Sequence, residues 1–164
     1  MDKKQGLEIG RAAARADIAQ VKTLLLALIG EDDTTRRGTW AYYANKTLSY
    51  LNNEAPMSGA IWQLKGNIKL PFAFFSAMPD VTCSGAGDCL NWCYSFRSWR
   101  YPTAYFRQLI NTLLMATVHG REVIAVATAK LPENIAIRLY VDGDFANVGQ
   151  VAFWMDEIRK RPDL

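Results

Sequence analysis

The sequence predicts an α/β chain: a helical N-terminal section over residues 1–60, then a section of two parallel βα units over residues 61–164. Three observations carry this reading. The stretch Lys69–Ala77 holds Phe72, Phe74 and Phe75 in an apolar run without polar alternation, the pattern of a strand buried on both faces. Ile135–Val141 alternates and is rich in β-formers. A loop and a helical pattern follow each of the two. Strands joined by a helical crossover pair in parallel, with a right-handed connection. The arrangement is barrel-like but holds only two units, and Leu164 stands where a third strand is expected. The expectation is a truncated product, or a sheet completed by a missing C-terminal part or by self-association, because an open strand edge is a liability.

In order, residues 1–6 are polar. From Leu7 to Ile29 apolar residues recur at helical spacing (Ala14, Ile18, Val21, Leu25, Leu28), with Arg11, Arg15 and Lys22 off the stripe and Gly30 as a stop. This reads as one amphipathic helix that packs on the fold or docks a partner. After a charged loop, Trp40–Tyr50 reads as a short helix with Trp40, Tyr43, Thr47 and Tyr50 on one face, in the core or stacking nucleobases. Residues 52–59, with Pro56 and Gly59, form the candidate boundary. Pro71 belongs near the start of the first strand, and Met78-Pro79-Asp80 ends it. Pro102 opens a helix with Phe106, Leu109, Ile110, Leu113 and Thr117 as its buried stripe, broken at His119-Gly120. Arg121–Lys130 reads as a second helical piece, with a strand at Val123–Val126 as the alternative. Asn147 caps a last helix that ends at Arg159-Lys160-Arg161 and Pro162.

The totals narrow the class. The 164 residues suit one ordinary domain, and at 50% apolar they can build a core without staples. A net charge of +3 is compatible with nucleic acid but far from a basic binding arm. The start Met1-Asp2-Lys3-Lys4 is polar with no signal-peptide pattern, and the longest apolar run, Leu24–Ile29, is too short to cross a membrane. The expected location is the cytoplasm, where thiols stay reduced.

All three cysteines fall in one loop, Cys83-Ser-Gly-Ala-Gly-Asp-Cys89-Leu-Asn-Trp-Cys93. An odd number in a reducing compartment argues for metal binding or chemistry rather than a disulfide framework. Ligands of parallel sheets sit at the carboxyl ends of strands, where this loop and Asp142-Gly143-Asp144 both lie. Structural zinc takes four Cys or His ligands. The single histidine, His119, follows a helix of about seventeen residues, roughly 25 Å long at 1.5 Å per residue, and so stands at the far end. Asp88, Asp142, Asp144 or a second chain is left as fourth ligand. A four-iron cluster held by three thiolates leaves one iron open for substrate or cofactor, and Gly85 and Gly87 let the backbone bend around it. The readings are thus an iron–sulfur cluster on Cys83, Cys89 and Cys93, a zinc ion, or three inert thiols.

The cysteine loop ending in Cys93-Tyr94, then Arg138-Leu-Tyr-Val-Asp-Gly-Asp-Phe145, Trp154 and Arg161-Pro-Asp-Leu164, resembles the phage and plasmid gene product 88 family over residues 65–164. There is a looser resemblance to radical S-adenosylmethionine enzymes, which carry a three-cysteine loop after the first barrel strand with an aromatic residue before the last cysteine, here Trp92. Their second strand ends in Gly-Gly-Glu, which helps hold the cofactor's amino group; Gly143-Asp144 takes that place. The resemblance implies a [4Fe-4S] cluster on Cys83, Cys89 and Cys93, and S-adenosylmethionine contacts from Asp142, Gly143 and Asp144. Here the cysteine spacings are longer, with five and three residues between, and aspartate replaces glutamate.

Two functions follow. The first is an iron–sulfur, radical-S-adenosylmethionine-like enzyme of a mobile element, or the N-terminal fragment of one. The second is a nucleic-acid-associated module with structural zinc, in which Arg97, Trp99 and Arg100, with Tyr101 and Arg107, meet phosphates and bases. An inactive remnant is the third alternative.

Overall fold

The computed structural model describes residues 1–54, 61–64 and 72–164. Its elements are α1 (Lys3–Ala14), α2 (Ile18–Ile29), α3 (Trp40–Leu51), β1 (Phe72–Phe74), α4 (Pro102–Met115), α5 (Val118–Ala129), β2 (Ala136–Arg138) and α6 (Val148–Lys160). Two 3-10 segments, Asp88–Asn91 and Tyr94–Arg100, lie between β1 and α4.

The fold is mostly helical around a small two-stranded sheet, and the expected α/β, barrel-like architecture is corrected accordingly. The parallel pairing itself is present: Phe72, Ala73 and Phe74 register with Ala136, Ile137 and Arg138. The reason for the difference is α4. Tyr105, Phe106 and every residue from Gln108 to Met115 are buried, so the last two turns of this helix are enclosed on all sides, the signature of a core helix. Phe106, Leu109 and Leu113 face one apolar cluster, made with α1, α2, α3 and Trp99. Ile110, Leu114 and Met115 face the other, made with both strands, α5 and Trp154. A helix fills the centre that a barrel would give to its strands.

The second strand also stops early. Inward Ile135, Ile137 and Leu139 alternate with outward Ala136 and Arg138 as expected. Hydrogen bonds continue past the paired residues, from the Phe75 amide to the Arg138 carbonyl, Val141 to Phe75 and Ala77 to Asp142. Tyr140, however, sits at φ +51°, which ends extended geometry at a cost of about 1–2 kcal/mol. Tertiary contacts hold it there: the Tyr140 hydroxyl donates to Gln150 Oε1 (3.0 Å), Trp154 Nε1 donates to that hydroxyl (3.4 Å), and the ring packs on Phe145. On its other side, β1 is bridged antiparallel at Phe74 by Gln63.

The single helix expected over residues 7–29 is two helices. Ala16 lies at φ +55°, and the Asp17 side chain caps α2 by accepting the Gln20 amide at 3.0 Å. The helical stripe continues through the break because α1 and α2 pack on the same core. α1 seats closely: a Cβ on Gly6 would lie 2.9 Å from the Trp99 ring, the Tyr105 hydroxyl donates to the Gly6 carbonyl (2.9 Å), and Arg11 pairs with Asp80 (3.5 Å). The helix over Trp40–Tyr50 is present, with Trp40 and Tyr43 packed against Phe106.

Pro102 is the first residue of α4. The break before α5 falls at Ala116-Thr117, with Thr117 accepting the Gly120 amide at 2.9 Å, and His119-Gly120 lies inside the first turn of α5. α5 is helical through Val123–Val126. Asn147 caps α6 on the Gln150 amide at 3.1 Å. Most of residues 52–59, and Pro71, lie outside the described residues. Among the described residues no single helix is long and apolar enough to cross a membrane.

Candidate functional site

The cysteine loop leaves β1 through a tight turn. The Met78 carbonyl accepts both the amide (3.2 Å) and the hydroxyl (2.9 Å) of Thr82, with Asp80 at φ +68° between them. The Cys83 amide then returns to the Asp80 carbonyl and Ala86 to Cys83. Cys89 lies in the Asp88–Asn91 turn, and Cys93 precedes the Tyr94–Arg100 segment. Cys83 and Cys93 are half-buried, Cys89 is exposed, and all three are free thiols.

The Asp142-Gly143-Asp144 loop meets this turn directly. The Asp144 amide donates to the Thr82 hydroxyl at 3.1 Å. Gly143 lies at φ +75°, and a Cβ there would approach Thr82 Oγ1 to 2.6 Å and the Ala77 carbonyl oxygen to 2.8 Å. No other residue type fits that conformation and approach without strain. Tyr94, just past Cys93, donates its hydroxyl to the Val141 carbonyl at 3.1 Å. The two loops expected at the strand ends are therefore bonded to each other at both ends of the cysteine loop.

Behind them sits Gln108, 2% exposed on α4. Its Oε1 accepts Trp99 Nε1 at 2.7 Å, and its Nε2 donates to Ser98 Oγ and to Asp142 Oδ2, both at 3.1 Å. One amide fixes the 3-10 segment, the helix and the Asp142 carboxylate together. Thr82, Tyr94 and Gln108 were not among the residues expected from sequence. Gln108 carried a signal, being a polar residue between Phe106 and Leu109 on a buried stripe.

Burial pushes the Cys83 thiol above its ordinary value, against a backbone hydrogen bond at Asp80, and the charges of Asp144, Cys93 and Cys89 push it the same way. Among the described residues, no group of three or more His, Cys, Asp or Glu side chains is gathered closely enough to hold a metal ion as the loop stands. His119 is remote as expected: it is exposed, pairs with Glu122 at 3.2 Å, and lies beside Leu113 and Leu114 at the C-terminal end of α4.

The residues expected to meet nucleic acid are divided. Trp99 is 6% exposed, with Phe96 and Tyr105 edge-on to its ring, so it belongs to the core. Arg97 and Arg100 are exposed, and the outward aromatics of this region are Trp92, Tyr94 and Tyr101.

No curated protein and no solved structure matches the chain. The looser likeness to radical S-adenosylmethionine enzymes finds no support in these comparisons. The family model for gene product 88 matches residues 34–164, which takes in α3 and so begins earlier than the resemblance read over residues 65–164. With both loops and the terminal Arg161-Pro-Asp-Leu inside that match, the chain belongs to the gene product 88 family, a phage-related group.

Proposed function

We propose that the loop bearing Cys83, Cys89 and Cys93 binds an iron–sulfur cluster through three thiolates, at the end of the parallel strand pair and beside Asp144. The observation that carries this reading is that one loop holds all three cysteines and is tied at both ends to the Asp142-Gly143-Asp144 loop, by the Asp144 amide on Thr82 and the Tyr94 hydroxyl on the Val141 carbonyl. Thiols so placed repel one another when ionised, and a bound cationic centre reverses that sign. The loop has room to close: Cβ atoms built on Gly85 and Gly87 would meet nothing within 4 Å, and Cys89 is exposed on a short turn. Cys83, Cys89 and Cys93 would hold the cluster only with Cys89 and Cys93 brought closer to Cys83; Thr82 and Tyr94 bond the two ends of the loop to the strand ends. Held by three protein thiolates, such a cluster would have one iron without a protein ligand. A reducing cytoplasm keeps the thiols available as ligands.

The test is anaerobic reconstitution of the full chain with iron and sulfide, followed by elemental analysis and electron paramagnetic resonance of the reduced protein. About four irons per chain and a cluster signal, both lost in Cys83→Ser, are expected. Folded protein that holds neither iron nor zinc overturns the reading.

A second reading is favoured by the exposed Arg97 and Arg100 beside outward Trp92 and Tyr101. In it the three thiolates and an Asp144 oxygen hold zinc, and the arginine-aromatic surface meets single-stranded nucleic acid. Zinc in place of iron, with an oligonucleotide affinity that falls as salt rises, selects this reading over the first.

A further inference from the structure

A basic surface runs along α1 and onto the Tyr94–Arg100 segment. Lys4, Glu8, Arg11 and Arg15 follow helical spacing, share one side of α1, and border a shallow cleft of about 510 Å³ with Gln20. At the head of the helix Lys3 turns toward the 3-10 segment. Its Nζ lies 3.7 Å from the centroid of the Phe96 ring, and it lines a hollow of about 190 Å³ with Arg100. Arg97 and Arg100 are one 3-10 turn apart, hence on the same side, and Arg100 Nε donates to the Arg97 carbonyl at 3.0 Å. All of these cations are exposed. The acids set among them offset little of the charge. Asp80 is matched by Arg11 at 3.5 Å, and Asp2 and Asp17 turn their carboxylates onto the Gln5 and Gln20 amides as helix caps, which leaves Glu8.

We propose that α1 extends the surface of Arg97, Arg100, Trp92 and Tyr101 into a track for the phosphate backbone of single-stranded nucleic acid. The proposal rests on the nucleic-acid reading of that surface and assigns the path of the same strand beyond it. Lys4 and Arg15 stand about 16 Å apart along the helix at 1.5 Å per residue, so the complementary partner is a polymer of repeated negative charge rather than one phosphate group. Of the exposed residues of α1 only Ala14 is apolar. The helix therefore has no wedge to sink into a lipid surface, and no aromatic side chain on which a base would stack. Its contacts are to the backbone and carry no sequence preference, while the outward Trp92 and Tyr101 rings hold bases at the other end. α1 precedes residues 34–164, so this track lies outside the part of the chain that the family model matches.

Fluorescence anisotropy of labelled oligothymidylates tests it, with the full chain titrated at several salt concentrations. One oligonucleotide of about four nucleotides reaches the arginine-aromatic surface alone, and one of about sixteen runs on over α1. The longer one should bind at least about tenfold tighter. The double variant Lys4→Gln/Arg15→Gln, at exposed positions, should keep the wild-type melting temperature. It should weaken the longer oligonucleotide about tenfold, lower its log–log salt slope by about 1.4 at about 0.7 per phosphate contact, and leave the shorter one unchanged. Arg97→Gln/Arg100→Gln should weaken both. Wild-type binding of the longer oligonucleotide by the α1 variant overturns the track and leaves the arginine-aromatic surface standing. No binding of either length overturns both. Displacement of the longer oligonucleotide by polyglutamate or by phosphatidylserine vesicles at matched charge also overturns the proposal.

Discussion

The Thr82 hydroxyl accepts the backbone amide of Asp144 at 3.1 Å while donating to the Met78 carbonyl at 2.9 Å. One 3%-exposed side chain therefore joins the start of the cysteine loop to the acidic loop 62 residues further on. Thr82→Val keeps the shape and removes both bonds. It should cost about 0.5–1.5 kcal/mol, the scale of a typical hydrogen bond, since the Asp144 amide is only partly buried. Chemical denaturation reads that loss, and the iron content of reconstituted protein should fall with it.

Gly143 makes the same junction from the other side. Gly143→Ala combines a positive φ with a Cβ inside van der Waals range of Thr82 and Ala77. The left-handed conformation alone costs about 1–2 kcal/mol, and the close approach adds to it. A melting temperature equal to wild type would contradict the packing described.

Gln108→Leu tests the amide that gathers Trp99, Ser98 and Asp142. Volume is nearly conserved, but a buried indole N–H and a carboxylate lose their partner. The expected loss is on the order of 2–4 kcal/mol. It should come with a change in tryptophan fluorescence, since the Trp99 indole loses its hydrogen bond.

Thiol chemistry should separate the three cysteines. Burial and neighbouring negative charge hold Cys83 in its protonated form, and only thiolates alkylate. In metal-free protein, iodoacetamide should label exposed Cys89 first and Cys83 last, with Cys83 labelling rising only at higher pH. Peptide mass mapping over time measures the order. Metal loading should protect all three.

Arg161 gives the terminal Arg-Pro-Asp-Leu motif a structural meaning. Its guanidinium donates to the carbonyls of Thr128, Ala129, Leu131 and Pro132, capping α5, and is held by Asp163 at 2.5 Å. Arg161→Ala should lower the melting temperature. The hydrogen bond from Arg161 draws the Asp163 carboxyl down to about 2 from 3.8. A depressed folded-state value means the contribution is present above pH 3.8 and fades as pH falls toward 2. Wild type and Asp163→Asn should therefore differ in stability at neutral pH and converge near pH 2 in an acid titration.

Local physics made much of this chain legible. Asn147 as a cap, Pro102 as a first helical residue and the aromatic face of α3 follow from short-range rules, and the structure bears them out. Two apolar segments joined by a helix implied a parallel pair, which is present. The extent of the sheet was a tertiary matter. Ile135–Val141 reads as a full strand, but Tyr140 is turned to positive φ by Gln150, Trp154 and Phe145, residues that pattern alone does not place beside it. Ala16 and the Asp17 cap likewise split a helix whose apolar stripe runs on without interruption, because both halves pack on one core.

By itself, the sequence determined that three thiols share one loop and that this loop follows a strand beside Asp142-Gly143-Asp144. Tertiary structure decided what surrounds them: α4 in place of a barrel's strands, Thr82 and Gln108 as the ties, and Trp99 in the core rather than on the surface. The reason is one of range. Caps, turns and periodicity are settled within a few residues, whereas burial on all sides of the last two turns of α4 depends on partners from both ends of the chain.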